Sequence, residues 1–223
     1  MNNSSSAKCV QPPVCLNSLL AKAAMNNPET HPFEPFLPAS ARLLMLGTFP
    51  PSEKRWSMAF YYPNFQNDMW RIVGHCFFAD RQHFVDTGGK RFRLDELKAF
   101  LTARGIALYD TCTAIIRTRN TASDKDLQVV EQTDIRGLLR RLPQCRAIVT
   151  AGQLATTLCC SQMGVGEPRT GEYVECTAHS AVTPLRIYRM PSSSRAYPMA
   201  LEQKAEYYRR VFDYCFQAEA VSV

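Results

Sequence analysis

The chain has 223 residues, of which 46% are hydrophobic and 21% are charged. That length is enough for a sizeable apolar core, and the composition is close to the globular average, which argues against wholesale disorder and fibrous repeats. Lysine and arginine number 26 against 20 acidic residues, so the formal net charge is +6 at pH 7. This balance fits a polyanionic partner, although many other proteins carry a similar charge.

The sequence shows no pattern typical of a membrane protein or of a metal-binding protein. No apolar run approaches the roughly 18 residues that suggest a transmembrane helix, and we expect no membrane association. The nine cysteines are scattered and form no CxxC pair. Together with the lack of an export signal, this pattern predicts reduced thiols, a cytoplasmic location and no zinc ribbon or four-cysteine cluster.

The first 30 residues are rich in Asn, Ser and Pro. We expect a flexible extension there, with at most a turn or two of helix at residues 16–24, and a single domain over residues 31–218. Short apolar runs predict buried strands at residues 43–46, 106–109, 147–150 and 185–190. Helical patterns lie between and after them, at residues 68–78, 94–104, 133–142, 153–163 and 198–216.

Buried runs of strand length that alternate with helices predict a mostly parallel sheet covered on both faces. The expected fold class is therefore α/β, with three layers (α/β/α) and a short central sheet of four strands. In such sheets, ligands bind beyond the carboxyl ends of the strands. The segments to search are those that follow the predicted strands, at residues 47–52, 110–112, 151–153 and 191–194.

The segment after the first strand carries a dense aromatic cluster. Phe60, Tyr61 and Tyr62 are consecutive, and Phe65 and Trp70 follow. One interpretation is a packed loop whose aromatic side chains fill the core. The other is a pocket for a flat heterocycle, in which an aromatic face stacks on the ring and an Asn amide reads its polar edge.

The segment before the last helix contains three consecutive serines followed by Arg195. An ordinary loop with a serine at the helix N-cap is one interpretation. The other is a loop that grips phosphate through hydroxyl groups, backbone N–H groups and the Arg195 charge. Arg117 and Arg119 could either contact a phosphate backbone or form salt bridges on the protein surface.

Other chemistries lack their signatures. The sequence contains no GxxxxGK[ST], GxGxxG, GxSxG or HExxH. The four histidines are isolated, so no metal site is predicted. Cys112 follows a strand end, but nothing nearby in the sequence identifies a base for a thiol nucleophile, and a buried inert cysteine is the default.

Three of these segments, in this order, resemble the motifs of the uracil-DNA glycosylase superfamily. A G-x-[N/D/M]-P-G-like motif follows the first core strand, a stretch resembling HPxNxFW comes next, and a PSxS-like loop precedes the last helix. The hypoxanthine-DNA glycosylase branch is the nearest subgroup, because the double tyrosine, Asn67 and Trp70 fall in its register. The corresponding segments here are residues 47–51, 61–72 and 190–196.

The sequence departs from that pattern at several positions. Phe49 stands where much of the superfamily has an Asp or Asn that positions the attacking water. The hypoxanthine branch also lacks that residue, and the resemblance assigns catalysis to Asn67. Pro51 replaces a glycine, and no base-reading Asn follows the third strand, where Gly152 lies.

The resemblance implies a monofunctional glycosylase that hydrolyses the N-glycosidic bond of a flipped, deaminated base and leaves an abasic site. Its partner is DNA with a damaged base, it needs no metal or organic cofactor, and a monomer is expected. The implied base pocket comprises Gly47, Thr48, Phe49, Pro50, Tyr61, Tyr62 and Phe65. The implied DNA-binding loop comprises Pro191, Ser192, Ser193, Ser194 and Arg195.

Two alternatives from other classes stay open. Phe49 is compatible with a DNA-binding module on the same fold that has lost catalysis. A small-molecule nucleotide or nucleoside hydrolase with accidental motif similarity is the third possibility, and it predicts a weaker dependence of binding on salt than contacts with several phosphates would give. Within the glycosylase interpretation, either Tyr62 or Phe65 could stack on the base.

Overall fold

The structure of the protein, a computed structural model, describes residues 27–119, 123–177 and 184–217. The strands in these ranges are β1 (Glu29–Thr30), β2 (Leu43–Gly47), β3 (Val85–Asp86), β4 (Arg91–Phe92), β5 (Ile106–Asp110), β6 (Cys112–Arg117), β7 (Leu127–Gln132), β8 (Ala147–Ala151), β9 (Tyr173–Cys176) and β10 (Leu185–Met190). The helices are α1 (Met69–Phe78), α2 (Leu94–Arg104), α3 (Ile135–Arg140), α4 (Gln153–Met163) and α5 (Leu201–Phe216). Short 3-10 helices lie at Glu53–Arg55 and Asp124–Asp126.

The central sheet has the strand order β5-β2-β8-β10-β9. The four strands predicted from apolar runs are present, and each pairs with its neighbour in parallel. The expected three-layer α/β/α fold is confirmed. A fifth strand, β9, extends the sheet in the antiparallel direction beside β10. It was not predicted, because its residues are mostly exposed or half-buried, as is usual for an edge strand, and form no apolar run.

Burial explains why these strands form where they do. Every residue of β2 and β5 is buried, as expected for parallel strands covered by helices on both faces. α1 packs against α5, while α2 contacts β5 and α4 contacts β8. Within the described ranges, each helix is too short or too polar to span a lipid bilayer.

A second, antiparallel sheet of order β1-β6-β7 stands beside the central one. The apolar runs did not indicate it, because β7 alternates between half-buried and exposed residues and β1 is only two residues long. β1 brings the end of the expected extension into this sheet, where Glu29 pairs with Ile115. The rest of the extension up to residue 26, including the helical turns expected at 16–24, lies outside the described residues.

Three helices begin later than the sequence pattern predicts. The helix expected at residues 133–142 covers only Ile135–Arg140, because Asp134 caps its start by accepting a hydrogen bond from the Gly137 N–H at 2.8 Å. The helix expected from residue 68 begins at Met69, and the one expected from residue 198 begins at Leu201. Before α1 the Asn67 side chain accepts a hydrogen bond from the Met69 N–H, and at the start of α5 Gln203 of the first turn accepts one from the Ala200 N–H.

The glycines that end α2 and α4 give a prediction about stability. Gly105 and Gly164 both have φ +73°, which disfavours side chains by about 1–2 kcal/mol. A Cβ on Gly105 would lie 2.5 Å from the carbonyl oxygen of Ser40, whereas one on Gly164 meets nothing within 4 Å. We expect Gly105→Ala to lower the free energy of unfolding by roughly 1–3 kcal/mol more than Gly164→Ala, measured by urea denaturation. Equal losses would contradict this packing.

Candidate active site

A cleft of about 750 Å³ lies beyond the carboxyl ends of β2, β5, β8 and β10. This is the edge of the sheet at which ligands bind in doubly wound α/β folds. The segments that follow all four strands contribute to it, together with part of residues 60–70, here called the aromatic segment. Its lining includes Pro50, Tyr62, Asn67, Asp110, Asp124, Gly152, Met190, Pro191, Ser192, Ser194 and Arg195.

Side chains from α1 hold the aromatic segment in place. The buried Trp70 indole donates a hydrogen bond to the carbonyl oxygen of Tyr61 at 3.1 Å. Arg71 donates through Nη1 to the carbonyl oxygens of Phe65 at 2.7 Å and Asn67 at 3.1 Å. Burial, and next the positive charge of Arg195, lower the pKa of the Arg71 guanidinium from its usual value. The loop conformation is therefore fixed by the helix that follows it.

Not all of the aromatic candidates face the cleft. Tyr62 lines it, with φ +48°, a strained backbone conformation for a tyrosine. Phe65 instead packs against the Arg71 guanidinium, 4.6 Å from its ring centroid, and against the Phe92 ring at 5.4 Å. Tyr61 is 2% exposed and donates its hydroxyl to the carbonyl oxygen of Glu34 at 2.8 Å. Of these three rings, Tyr62 is therefore the one placed to meet a ligand.

The Asn67 side chain has two ends with different surroundings. Its Oδ1 accepts a hydrogen bond from the N–H of Met69, the first residue of α1, at 2.8 Å. Because that partner is a donor, the atom facing it must be the amide oxygen. Asn67 also lines the cleft, so the Nδ2 amino group is its group for a ligand. Asn67 can therefore donate to an acceptor on a bound molecule.

The segment at residues 191–196, here called the serine loop, is anchored by a buried ion pair that the sequence did not reveal. Lys204 of α5 is fully buried, and its Nζ lies 3.0 Å from Oδ2 of Asp68 and 2.8 Å from the carbonyl oxygen of Ser194. The N–H of Asp68 donates to the carbonyl oxygen of Ser193 at 2.9 Å. Arg195 reaches Oδ1 of Asp68 at 3.4 Å while its side chain is 57% exposed at the rim. A lysine in an amphipathic helix reads as a surface residue, so no sequence signal marks this pair.

Within the loop, two serine side chains already accept backbone hydrogen bonds. The Ser192 hydroxyl accepts from the N–H of Ser194 at 3.2 Å, and the Ser194 hydroxyl accepts from the N–H of Ala196 at 3.3 Å. Each hydroxyl keeps its own hydrogen as a donor. Ser193 is buried, and the Pro191 carbonyl accepts from the Tyr208 hydroxyl at 3.1 Å. The loop therefore offers the Ser192 and Ser194 hydroxyls as hydrogen-bond donors.

A carboxylate lies on the floor of the cleft, at the end of β5. Oδ2 of Asp110 accepts a hydrogen bond from Nε2 of His31 at 2.9 Å, and the His31 side chain is only 2% exposed. Asp110 and Gly47 are register partners across β2 and β5. A Cβ on Gly47 would overlap with Oδ1 of Asp110, so glycine is required for the carboxylate to sit there. The sequence pattern predicts that Asp110 lies at a strand end, but no signal in the sequence indicates its hydrogen bond with His31.

A second carboxylate and a buried hydroxyl lie near this floor. Asp124 lines the cleft, and its Oδ2 accepts a hydrogen bond from the Thr48 hydroxyl at 2.9 Å. Burial raises the pKa of Asp124, against the opposing effect of that hydrogen bond. The Tyr62 hydroxyl is buried and has no hydrogen-bond partner among the described residues. Burial, with the nearby Tyr208, Asp110 and Asp124 as smaller causes, raises the Tyr62 pKa well above its usual value, so the phenol stays protonated.

The remaining residues considered in the sequence analysis contact other parts of the protein and do not line the cleft. Arg117 forms an ion pair with Glu29 at 3.0 Å and donates to the carbonyl oxygen of Pro50, which places it beneath the cleft wall. Arg119 is 76% exposed and lies 4.0 Å from Asp126. Phe49 packs edge-on against the His31 ring with centroids 5.3 Å apart. Cys112 is fully buried, and burial raises the pKa of its thiol to about 11, which argues against a thiolate nucleophile.

Comparison with solved structures finds this fold elsewhere. A solution NMR structure from Methanosarcina acetivorans, described as a "putative Uracil DNA glycosylase", matches with a TM-score of 0.55 and 22% sequence identity. The match covers 83% of this chain and 98% of that chain. No family model matches the chain, and no curated protein matches it. The similarity at this identity shows a shared fold.

The buried ion pair gives a second stability prediction. Lys204→Met removes the buried cation and leaves the Asp68 carboxylate with the exposed Arg195, so we expect the free energy of unfolding to fall by about 3–5 kcal/mol. Adding Asp68→Asn should recover part of this loss, because the uncompensated charge is then gone. The control is Arg81→Ala, which breaks an exposed pair with Glu202 and should cost less than about 1 kcal/mol. Similar losses for Lys204→Met and Arg81→Ala in urea denaturation would contradict this assignment.

Proposed function

We propose that the protein is a monofunctional DNA glycosylase, which hydrolyses the N-glycosidic bond of a deaminated base, uracil or hypoxanthine, flipped out of DNA into the cleft. One observation carries the proposal. The three segments that resemble glycosylase motifs meet at a single cleft, on a fold shared with the structure described as a "putative Uracil DNA glycosylase". The cleft lies in the size range of small-ligand pockets, roughly 300–1,000 Å³.

The geometry of Asn67 supports a role in stabilising the leaving base. Its oxygen is occupied by the Met69 N–H, so the group it offers to a ligand is a donor. Uracil and hypoxanthine both carry carbonyl oxygens, on which negative charge develops as the base departs. A fixed donor near such an oxygen lowers the barrier in the same way as an oxyanion hole. The adenine and cytosine from which these bases derive have an amino group in place of one such carbonyl.

Tyr62 and the serine loop supply the contacts that hold a flipped nucleotide. The Tyr62 ring, fixed edge-on against the Trp70 ring at 5.7 Å between centroids, offers a face for the base. Extrusion costs a few kcal/mol of unstacking, which phosphate and stacking contacts offset. The Ser192 and Ser194 hydroxyls and the exposed Arg195 guanidinium are the donors for the phosphates that flank the site.

The proposed reaction ends at an abasic site. A lyase step that cuts the strand would need an amine nucleophile that forms a Schiff base with the sugar. No lysine is among the described residues that line the cleft. Lys204 lies behind the wall, fully buried and bound to Asp68 and Ser194. The residues that line the cleft, a water molecule and the flipped nucleotide are sufficient for the hydrolysis proposed.

The direct test is a base-excision assay on labelled oligonucleotides, each with one uracil, hypoxanthine, xanthine or mispaired thymine, in duplex and single-stranded form. Alkali then cuts the DNA at any abasic site. We expect excision of uracil or hypoxanthine and none from undamaged DNA. Salt-sensitive DNA binding without excision of any lesion would favour the binding-module alternative. Binding of free nucleotides with little dependence on salt would favour a small-molecule hydrolase.

Substitutions at Asn67 separate its two hydrogen bonds. Asn67→Asp keeps an acceptor for the Met69 N–H but loses the Nδ2 donor, whereas Asn67→Ala loses both. We expect both variants to reduce the single-turnover excision rate by about 100–1,000-fold, the usual effect of removing one such donor. Only Asn67→Ala should also lower the free energy of unfolding, by about 1 kcal/mol. A fully active Asn67→Asp would show that the amide donor has no role in the reaction.

A further inference from the structure

We propose that Asp110 is the catalytic residue that orients and deprotonates the attacking water, with His31 as its positioning residue and the Tyr62 hydroxyl as a second contact of that water. This inference rests on the proposed glycosylase function. Phe49, in the first motif, can neither orient nor activate water, because its side chain has no polar group. A carboxylate from the neighbouring strand supplies the missing group.

Asp110 is held as a rigid acceptor at the cleft floor. Its carbonyl oxygen accepts a hydrogen bond from the Thr133 hydroxyl at 2.6 Å, and its Oδ2 accepts from His31 at 2.9 Å. Oδ1 lies over the Cα of Gly47, where only glycine leaves room for it. With one oxygen fixed by His31, the other is the oxygen for a water molecule in the cleft. A general base needs this kind of fixed orientation toward the proton that it accepts.

His31 has the contacts of a positioning group. Its Nδ1 accepts a hydrogen bond from the Phe33 N–H at 3.2 Å and lies 2.9 Å from the Phe33 carbonyl oxygen, and its Nε2 donates to Asp110. The rings of Phe33, Phe49 and Tyr109 surround it, with centroids 4.8–5.9 Å from its own. His31 is not among the residues that line the cleft, so it would act through Asp110 alone.

The Tyr62 hydroxyl is the independent observation that points to a ligand at this spot. It is buried without a partner among the described residues, although buried polar groups in native proteins are nearly always hydrogen-bonded. It lies 3.8 Å from the position that a Gly47 Cβ would take, the same position that Oδ1 of Asp110 crowds. A water molecule between them would accept a hydrogen bond from Tyr62 and donate one to Asp110.

The proposed step is a hydrolysis. The bond between C1′ of the sugar and the base nitrogen breaks, and its electron pair leaves with the base, whose charge Asn67 stabilises. The water oxygen forms the new bond to C1′, and the proton that it loses passes to the Asp110 carboxylate. The products are the free base, which takes up a proton, and an abasic site with a hydroxyl on C1′.

The test compares rate with affinity. For Asp110→Asn we expect the single-turnover excision rate to fall at least about 100-fold, as for the loss of a general base. Its affinity for duplex DNA with 2′-fluoro-2′-deoxyuridine, which resists hydrolysis, should stay within about threefold, which corresponds to about 0.7 kcal/mol in binding free energy. Tyr62→Phe keeps the ring and removes only a hydroxyl that has no hydrogen-bond partner in the part of the chain that the structure describes. It should leave urea stability unchanged and lower the rate about tenfold, by the loss of one hydrogen bond of about 1.4 kcal/mol.

Paired variants of His31 separate positioning from folding. His31→Gln keeps a side-chain donor for Asp110, whereas His31→Leu does not, so His31→Gln should retain the higher excision rate even where the two variants lose equal stability. The control is Asp86→Asn, which removes a surface carboxylate paired with Arg91 outside the cleft and should leave the rate unchanged.

The outcomes distinguish this inference from the proposed function. Excision by the wild type together with an Asp110→Asn rate within threefold of it would overturn the role of Asp110 and leave the glycosylase assignment standing. Equal rates for Tyr62→Phe and the wild type would overturn the role of the hydroxyl. No excision by the wild type would overturn both proposals.

Discussion

The carboxylate of Asp68 is the constraint on which the shape of the cleft depends. Asp68 lies at the start of α1, where its carboxylate contacts the fully buried ammonium of Lys204 from α5 at 3.0 Å. The backbone N–H of Asp68 donates a hydrogen bond to the carbonyl oxygen of Ser193. One residue thus joins the aromatic segment to the serine loop. Opposite charges this close and this buried attract strongly, and removing either one leaves the other without compensation in a buried site. The two walls of the cleft are therefore fixed relative to each other.

The floor of the cleft follows from the parallel sheet. Gly47 and Asp110 are neighbours because β2 and β5 run in the same direction and end at the same level. This register allows a carboxylate from one strand to occupy space above the glycine of the next. A first motif that carries Phe49 can therefore coexist with an acidic group from β5 that lies beside its glycine, Gly47. The catalytic groups that we propose come from the end of β5, for Asp110, and from the loop before α1, for Asn67.

The sequence predicted what depends on local pattern. Buried apolar runs marked the four parallel strands, and the rule that ligands bind at their carboxyl ends located the cleft. Local sequence pattern could not predict contacts between single residues that are far apart in the chain. His31 and Asp110 are 79 positions apart, and Asp68 and Lys204 are 136 apart, and none of the four stands in a recurrent spacing. The edge strand β9 and the β1-β6-β7 sheet were missed for a related reason, since half-exposed or very short strands have no continuous apolar run. Likewise, the choice between Tyr62 and Phe65 depended on which ring Arg71 and Phe92 cover.

We propose that this cleft breaks the bond between a damaged base and its sugar. Mass spectrometry can identify the small molecules that are released when the full chain is incubated with an excess of duplex DNA carrying uracil or hypoxanthine. We expect the wild type to release free uracil or hypoxanthine in amounts equal to the abasic sites formed, and the folded Asn67→Asp variant to release almost none. If the lesion DNA stays intact after incubation with folded wild-type protein, the cleft does not break this bond.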